Sequence, residues 1–307
     1  SRGATVSSPF LFEVNMKYIE IEPEENTFKT ISVQTTYKCQ MSCSNCYLGD
    51  MLNDETILDV DADRFSSFLS KLPYRTDIRF IGAEPTMNPD IFNLLKIVRK
   101  NGHRPSMLTN GLKLRREDYT EKLKNSGLNL IGLSMNGGLD NDVYQEFDNG
   151  RYANQKMIAL ENCFKYNILP HVNVIIDPTN IHIIKPLVQY IIDMANKYNR
   201  KISAVKYPVM LRLKSIGKIG NYRDTYTYSL KEMMDLFPIE YTNYVDGYEE
   251  KRSVIGKWGE LLIKITDWTV DDDGVPDSGS QRRGILTENY KLAPFFEYYV
   301  RQHERLL

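Results

Sequence analysis

Between residues 28 and 208, short strand-like segments alternate with helical repeats, and this rhythm constrains the fold of the chain more than anything else in it. Thr30-Ile31-Ser32-Val33-Gln34-Thr35 alternates with the two-residue period of a strand. Phe65, Phe68, Leu69 and Leu72 follow at the i, i+3, i+4, i+7 spacing of a helix face. Ile78-Arg79-Phe80-Ile81 is a second strand, ending at Gly82. Asn88 and Pro89 suit the cap and first position of a helix that buries Ile91, Leu94, Leu95 and Val98 and stops at Gly102. Further strands are expected over 105–109, 128–136, 171–176 and 201–207, with helices near 117–125, 152–166 and 187–198. Six strands alternating with helices imply a parallel sheet. Right-handed crossovers would wind it into an α/β fold, a partial (β/α)6 TIM-like barrel.

Past Met210 the rhythm breaks. Tyr222 to Tyr228 is rich in Tyr and Thr, Leu230, Met233, Met234 and Phe237 suggest one helix, and Leu261 to Thr266 one strand. Residues 271–284 read as an acidic loop and Pro294 to Leu307 as an aromatic-rich helix. The expected organisation is therefore an N-terminal segment (1–27), a barrel core (28–210) and a C-terminal α/β extension (211–307). The extension would close the barrel and contribute to the substrate site.

With 39 Lys and Arg against 40 Asp and Glu, the net charge is −1. Such a chain has no net positive field to neutralise phosphates, so a dedicated nucleic-acid binder is not expected. No run of about eighteen apolar residues suggests a membrane span, and no signal peptide is legible, so a cytoplasmic protein is expected. Four cysteines in 307 residues are too few for a disulfide framework.

Three of the four, Cys39, Cys43 and Cys46, form a C-x3-C-x2-C run directly after the first strand. Clustered thiols of this kind read as metal ligands. Structural zinc wants four closed ligands, and no fourth Cys or His is near. A [4Fe–4S] cluster on three thiolates would leave one iron open. Parallel α/β folds collect their chemistry at the carboxyl ends of strands. Those ends here carry Gly82-Ala83-Glu84-Pro85, Thr109-Asn110-Gly111, Ser134-Met135-Asn136-Gly137 and Lys206-Tyr207-Pro208, with Asn173 inside the fifth strand. Taken singly, several are ordinary turn sequences; their order after successive strands points to a polar cofactor beside a metal.

The C-x3-C-x2-C loop followed by a Gly-x-Glu-Pro strand end resembles the radical S-adenosylmethionine (radical SAM) superfamily over roughly residues 28–210. The resemblance implies a partial (β/α)6 barrel with a [4Fe–4S] cluster on Cys39, Cys43 and Cys46. It implies that the open iron chelates SAM, whose one-electron cleavage yields methionine and a 5′-deoxyadenosyl radical. It also implies that Gly82, Ala83 and Glu84 receive the methionine amino group, that Ser134 and Asn136 bond the carboxylate and ribose, and that Asn110 lines the same groove. Ala83 stands where the family often has glycine. Asn45 stands where an aromatic residue often packs near adenine, and Tyr47 follows two positions later.

Cys163 shares a helical face with Leu160 and Phe164 and reads as a core thiol. His103 and His303 read as surface residues, and no histidine is given a role. Arg282 and Arg283 could grip a carboxylate or phosphate, although surface arginines are commoner. With Cys163 alone outside the loop, no second cluster is expected on this chain, which favours redox-neutral chemistry. The substrate is expected to be a small polar metabolite of sugar, nucleoside or amino-acid type, with an external flavodoxin- or ferredoxin-type electron donor. The alternatives are a peptide substrate held by the Tyr-rich extension and, in a different class, a non-catalytic metal-binding scaffold. Lys206, Tyr207 and Arg212 are the catalytic candidates.

Overall fold

Strand β1 (Thr30–Gln34) shows how the sheet is built: Ile31 and Val33 face the helices, while Ser32 and Gln34 face the other way. The same alternation recurs in β2 (Asp77–Ile81), β3 (Arg104–Thr109), β4 (Leu130–Ser134), β5 (Leu169–Ile175) and β6 (Met210–Ser215). These six strands lie side by side, each parallel to the next. The computed structural model describes residues 19–44, 46–202, 208–215, 227–241, 253–268, 283–295 and 298.

The helices α1 (Ala62–Ser70), α2 (Ile91–Lys100), α3 (Glu117–Asn125), α4 (Asn141–Asp148), α5 (Ala153–Lys165) and α6 (Ile184–Lys197) connect the strands. They cover the outer face of the sheet. Phe65, Phe68 and Leu69 of α1 and Leu94, Leu95 and Val98 of α2 pack on Ile31, Val33, Ile78 and Phe80. Leu187, Val188 and Ile191 of α6 share a second cluster with Val172, Val174, Leu211 and Leu213. Asp61 starts α1 by accepting a hydrogen bond from the Arg64 N–H at 2.8 Å.

The C-terminal part lengthens both edges of the same sheet. On one side, β9 (Leu261–Asp267) joins β6 in parallel, followed by the antiparallel strands β8 (Ser253–Trp258) and β7 (Glu240–Tyr241). A short helix, α7 (Leu230–Asp235), precedes them, its start closed by reciprocal bonds between Ser229 and Glu232. On the other side, β10 (Arg283–Leu286) lies parallel to β1, and β11 (Leu292–Pro294) returns antiparallel to it. The eleven strands described run β11-β10-β1-β2-β3-β4-β5-β6-β9-β8-β7.

Several expectations are corrected. The strand that pairs with β5 lies at Met210–Ser215, and of the strand expected over 201–207, residues 203–207 lie outside the described residues. Its alternation of Leu211 and Leu213 with Arg212 and Lys214 is the true two-residue period, and Pro208 precedes it. Arg212 therefore sits inside that strand, whereas Lys206 and Tyr207 lie outside the described residues. Helix α2 begins at Ile91 after Asp90. Asn88 instead accepts from the Asp90 N–H at 2.8 Å and donates to the Thr35 carbonyl at 2.8 Å. Leu292 to Pro294 is strand where a helix was expected from Pro294, and Arg283 and Gly284 are strand where a loop was expected. His103 is buried rather than exposed, its ring accepting from the Thr76 N–H at 3.2 Å. Residues 203–207, 216–226 and 271–282 lie outside the described residues, with most of the expected C-terminal helix and the tyrosines at 222, 226 and 244.

Candidate functional site

The inner face of the sheet and the loops at its carboxyl end enclose a cavity of about 310 Å³. Cys39, Cys43 and Cys46 line it together with Tyr47, Gly82, Ala83, Asn110, Ser134 and Asn136. The structure thus gathers most of the expected residues at one place. Glu84 lies just behind the wall, and Asn45 is outside the described residues.

The cysteine loop is sewn to its surroundings by backbone bonds. The Thr35 N–H donates to the Ile81 carbonyl at 2.9 Å, Ala83 N–H to Thr36 at 3.0 Å, and Glu84 N–H to Lys38 at 3.1 Å. Gly82 permits this close approach, since a Cβ there would lie 2.7 Å from the Thr36 carbonyl oxygen. The loop's far side is held by α4: Ser44 N–H donates to the Phe147 carbonyl at 2.8 Å and the Asn149 amide to the Ser42 carbonyl at 2.5 Å. No part of the sequence reading anticipated α4.

Around the thiols, Cys39 Sγ accepts from the Met41 N–H at 3.3 Å and from Asn110 Nδ2 at 3.7 Å. Burial pushes the Cys39 thiol up to about 11, against two such hydrogen bonds that favour the thiolate. Burial raises Cys43 as well, followed by the carboxylate of Asp148, and it raises Cys46. Thiols held protonated in this way become ligands when a metal supplies the compensating charge. Among the described residues no three Cys, His, Asp or Glu side chains converge tightly enough to share one metal ion. A cluster makes no such demand, because each of its irons takes its own thiolate. The donor set, the N–H···S bonds and the cavity beside them fit an iron–sulfur cluster better than one zinc.

Glu84 is wholly buried. One of its oxygens accepts from Thr86 N–H (3.0 Å), Thr86 Oγ1 (2.7 Å) and Thr109 Oγ1 (2.6 Å), and the other from Asn110 N–H (2.7 Å). The side chain therefore ties the end of β2 to the end of β3, and it is the adjoining backbone that faces the cavity. The Gly82 carbonyl already accepts one bond, from Tyr47 Oη at 3.3 Å. Asn136 Oδ1 accepts from the Ile175 N–H at 3.1 Å, so its amide nitrogen is what it offers a ligand.

Sequence reasoning missed Lys156 and Asp148. The Lys156 ammonium lies 3.0 Å from Asp148 Oδ2, 3.0 Å from the Ser134 carbonyl and 4.9 Å from the centre of the Tyr144 ring. Both charged residues line the cavity. The signal was present: Lys156, Ala159, Leu160 and Cys163 share one buried helical stripe, where a lysine is out of place. Arg79, Lys214 and Trp268 also line the cavity and went unassigned, and so does Arg283, which the sequence offered as a grip on a carboxylate or phosphate. Cys163 is fully buried in the outer core, where burial pushes its thiol up to about 12.

Comparison with known proteins agrees with this geometry. A model of the radical SAM superfamily matches residues 33–189. A 7,8-dihydro-6-hydroxymethylpterin dimethyltransferase of Methanocaldococcus jannaschii is 29% identical over 138 residues, covering 44% of this chain and 27% of that protein. A PqqA peptide cyclase of Bradyrhizobium diazoefficiens is 24% identical over 183 residues, covering 57% of this chain and 47% of the relative. The chain thus matches between about a quarter and a half of the length of these relatives. Among solved structures, SuiB of Streptococcus suis bound to its precursor peptide SuiA superposes with a TM-score of 0.62 at 14% identity, covering 89% of this chain and 60% of SuiB. That likeness is one of fold. With the family model matching just over half of the chain, on the strands and the cysteine loop that build the cavity, this protein is a member of the radical SAM superfamily of enzymes.

Proposed function

We propose that Cys39, Cys43 and Cys46 hold a [4Fe–4S] cluster and that the adjoining cavity binds SAM and a small polar metabolite. Bound there, cluster and SAM supply reductive cleavage of a sulfonium to methionine and a hydrogen-abstracting 5′-deoxyadenosyl radical. The chain's own groups have separate tasks. The backbone of Gly82 to Glu84 offers carbonyls to an amino group, and the buried Glu84 carboxylate fixes their direction. Ser134 and Lys156 take a carboxylate: Nζ carries three protons, of which Asp148 and the Ser134 carbonyl engage two. The amide nitrogen of Asn136 donates to a ribose hydroxyl, and Tyr47 borders the adenine. Leu52, Ile81, Leu108 and Ile175 in the wall keep water from the reacting carbon.

The observation that carries this reading is the shared cavity of the three thiols and the strand ends of β2, β3 and β4. A polar substrate is favoured because the cationic side chains Arg79, Lys156, Lys214 and Arg283 are among the lining residues. An external one-electron donor of flavodoxin or ferredoxin type completes the system. Anaerobic reconstitution with iron and sulfide, followed by dithionite and SAM, should release 5′-deoxyadenosine. Its absence with an intact cluster would leave only the scaffold reading.

A further inference from the structure

Asn110 follows β3 in a turn that fixes its side chain. Its Oδ1 accepts from the Leu112 N–H at 3.0 Å and from Gln40 Nε2 at 3.3 Å. Its own N–H donates to Glu84 at 2.7 Å, and the next N–H, of Gly111, to Thr109 Oγ1 at 3.0 Å. Gly111 supplies the left-handed step of the turn, at φ +83°. Two donors on Oδ1 also fix which end of the amide is nitrogen. That nitrogen, Nδ2, donates to Cys39 Sγ at 3.7 Å.

The turn needs only the oxygen. An aspartate would accept the same two bonds, whereas the N–H···S contact requires an amide. It joins a second donor on the same sulfur, the Met41 N–H at 3.3 Å. Hydrogen bonds to the sulfurs are among the levers that set the potential of an iron–sulfur cluster. Reduction adds one negative charge, part of which resides on the thiolate ligands. A donor aimed at a ligand sulfur therefore stabilises the reduced form more than the oxidised one. Asn110 also stands in the cavity wall, and its backbone is anchored on the carboxylate that ties β2 to β3.

We propose that Asn110 is a positioning residue for the electron: its Nδ2–H, directed at Cys39 Sγ, raises the reduction potential of the cluster. This rests on the reading of the cysteine loop as a cluster site, and it names a residue that decides how readily an external donor reduces that cluster. Gln40 acts through Asn110, as one of the two donors that orient the amide.

The experiment is a potentiometric titration of the anaerobically reconstituted full chain without SAM. Electron paramagnetic resonance follows the reduced cluster, and iron and sulfide are counted in each sample. Asn110→Asp keeps the turn and removes the donor; Asn110→Leu removes the donor without adding charge. Both should hold as much iron as the wild type and move the midpoint to more negative potential. The ratio of reduced to oxidised cluster at a fixed potential should fall about fivefold, which is about 40 mV for a one-electron couple. Gln40→Leu should act in the same direction by less, and add nothing in the Asn110→Leu chain. Cys163→Ala, in the outer core, should leave the midpoint in place. An unchanged or raised midpoint in Asn110→Leu with full iron overturns the proposal. If both Asn110 variants lose the cluster, Gln40→Leu, at an exposed position, decides: a negative shift supports the proposal and an unchanged midpoint overturns it. The two readings fail separately. A wild type that takes up no iron sinks the cluster and the role of Asn110 together, whereas full iron with indifferent midpoints sinks the role of Asn110 alone.

Discussion

Lys156 Nζ sits 3.0 Å from Asp148 Oδ2, with both side chains all but excluded from water, directly behind the cysteine loop. The pair joins the first turn of α5 to the last residue of α4, the helix whose carbonyls hold Ser44. A buried ion pair is weak evidence for stability as such, but breaking one leaves a bare charge in a poor solvent. Lys156→Met should therefore lower stability to urea by about 3–5 kcal/mol. The double variant Lys156→Met with Asp148→Leu should recover most of that loss. If the single variant is as stable as the wild type, the pair does not anchor this corner.

Glu84 tests the join between β2 and β3. Glu84→Gln turns one acceptor oxygen into a donor among four hydrogen bonds that all require acceptance. It should destabilise the fold by about 1–3 kcal/mol and weaken SAM binding while iron content stays normal. Calorimetric SAM affinity equal to wild type would show that the backbone of residues 82–84 does not depend on this carboxylate.

The cysteines divide cleanly by environment. Cys43→Ala should remove iron and sulfide and the visible absorbance of the reconstituted protein. Cys163→Ala should keep all three, losing only about 1 kcal/mol or so of stability from the vacated core volume. Equal iron loss in both variants would overturn the assignment of the loop.

His171 should make the fold acid-sensitive. Its folded pKa lies well below the ordinary value, because burial and then Arg212, Arg79 and Lys214 oppose its charge. The unfolded chain takes up that proton near pH 6.5, so below this pH the unfolded state binds more protons. The histidine's contribution is thus complete above about pH 6.5 and lost as pH falls, by up to about 1.4 kcal/mol per unit. Urea unfolding of His171→Gln should show a flatter acid limb than wild type. Identical limbs would place the sensitivity elsewhere.

Much of the barrel was legible because its strands keep a strict two-residue period against helices with clear apolar stripes. Ile31 and Val33, Ile78 and Phe80, and Leu94, Leu95 and Val98 all point where the periodicity places them. The cysteine loop and the ends of β2, β3 and β4 were legible for the same reason, since strand order puts them on one rim. What stayed hidden depends on distant partners. Arg283-Gly284 becomes strand by pairing with β1, some 250 residues earlier in the chain, and with β11. Helix α4 is eight residues long, with Val143, Tyr144 and Phe147 as its apolar signal. The inner cations were visible as letters, in Leu211-Arg212-Leu213-Lys214 and Ile263-Lys264-Ile265. Parallel strands are expected to be apolar on both faces, and the alternation itself was the sign of a polar lumen.

The place of β10 beside β1 has a consequence for how the chain is made. Thr30 and its register partner Arg283 are separated by about 250 residues of chain. Until β10 is made, one side of β1 exposes an open row of amides and carbonyls, the kind of edge that invites pairing with another chain. Such long-range parallel closure is slow, since loop entropy is lost before the contact forms. Nascent chains stalled before residue 283 should then be the species most prone to associate, and the β1 side of the sheet closes only once β10 has emerged.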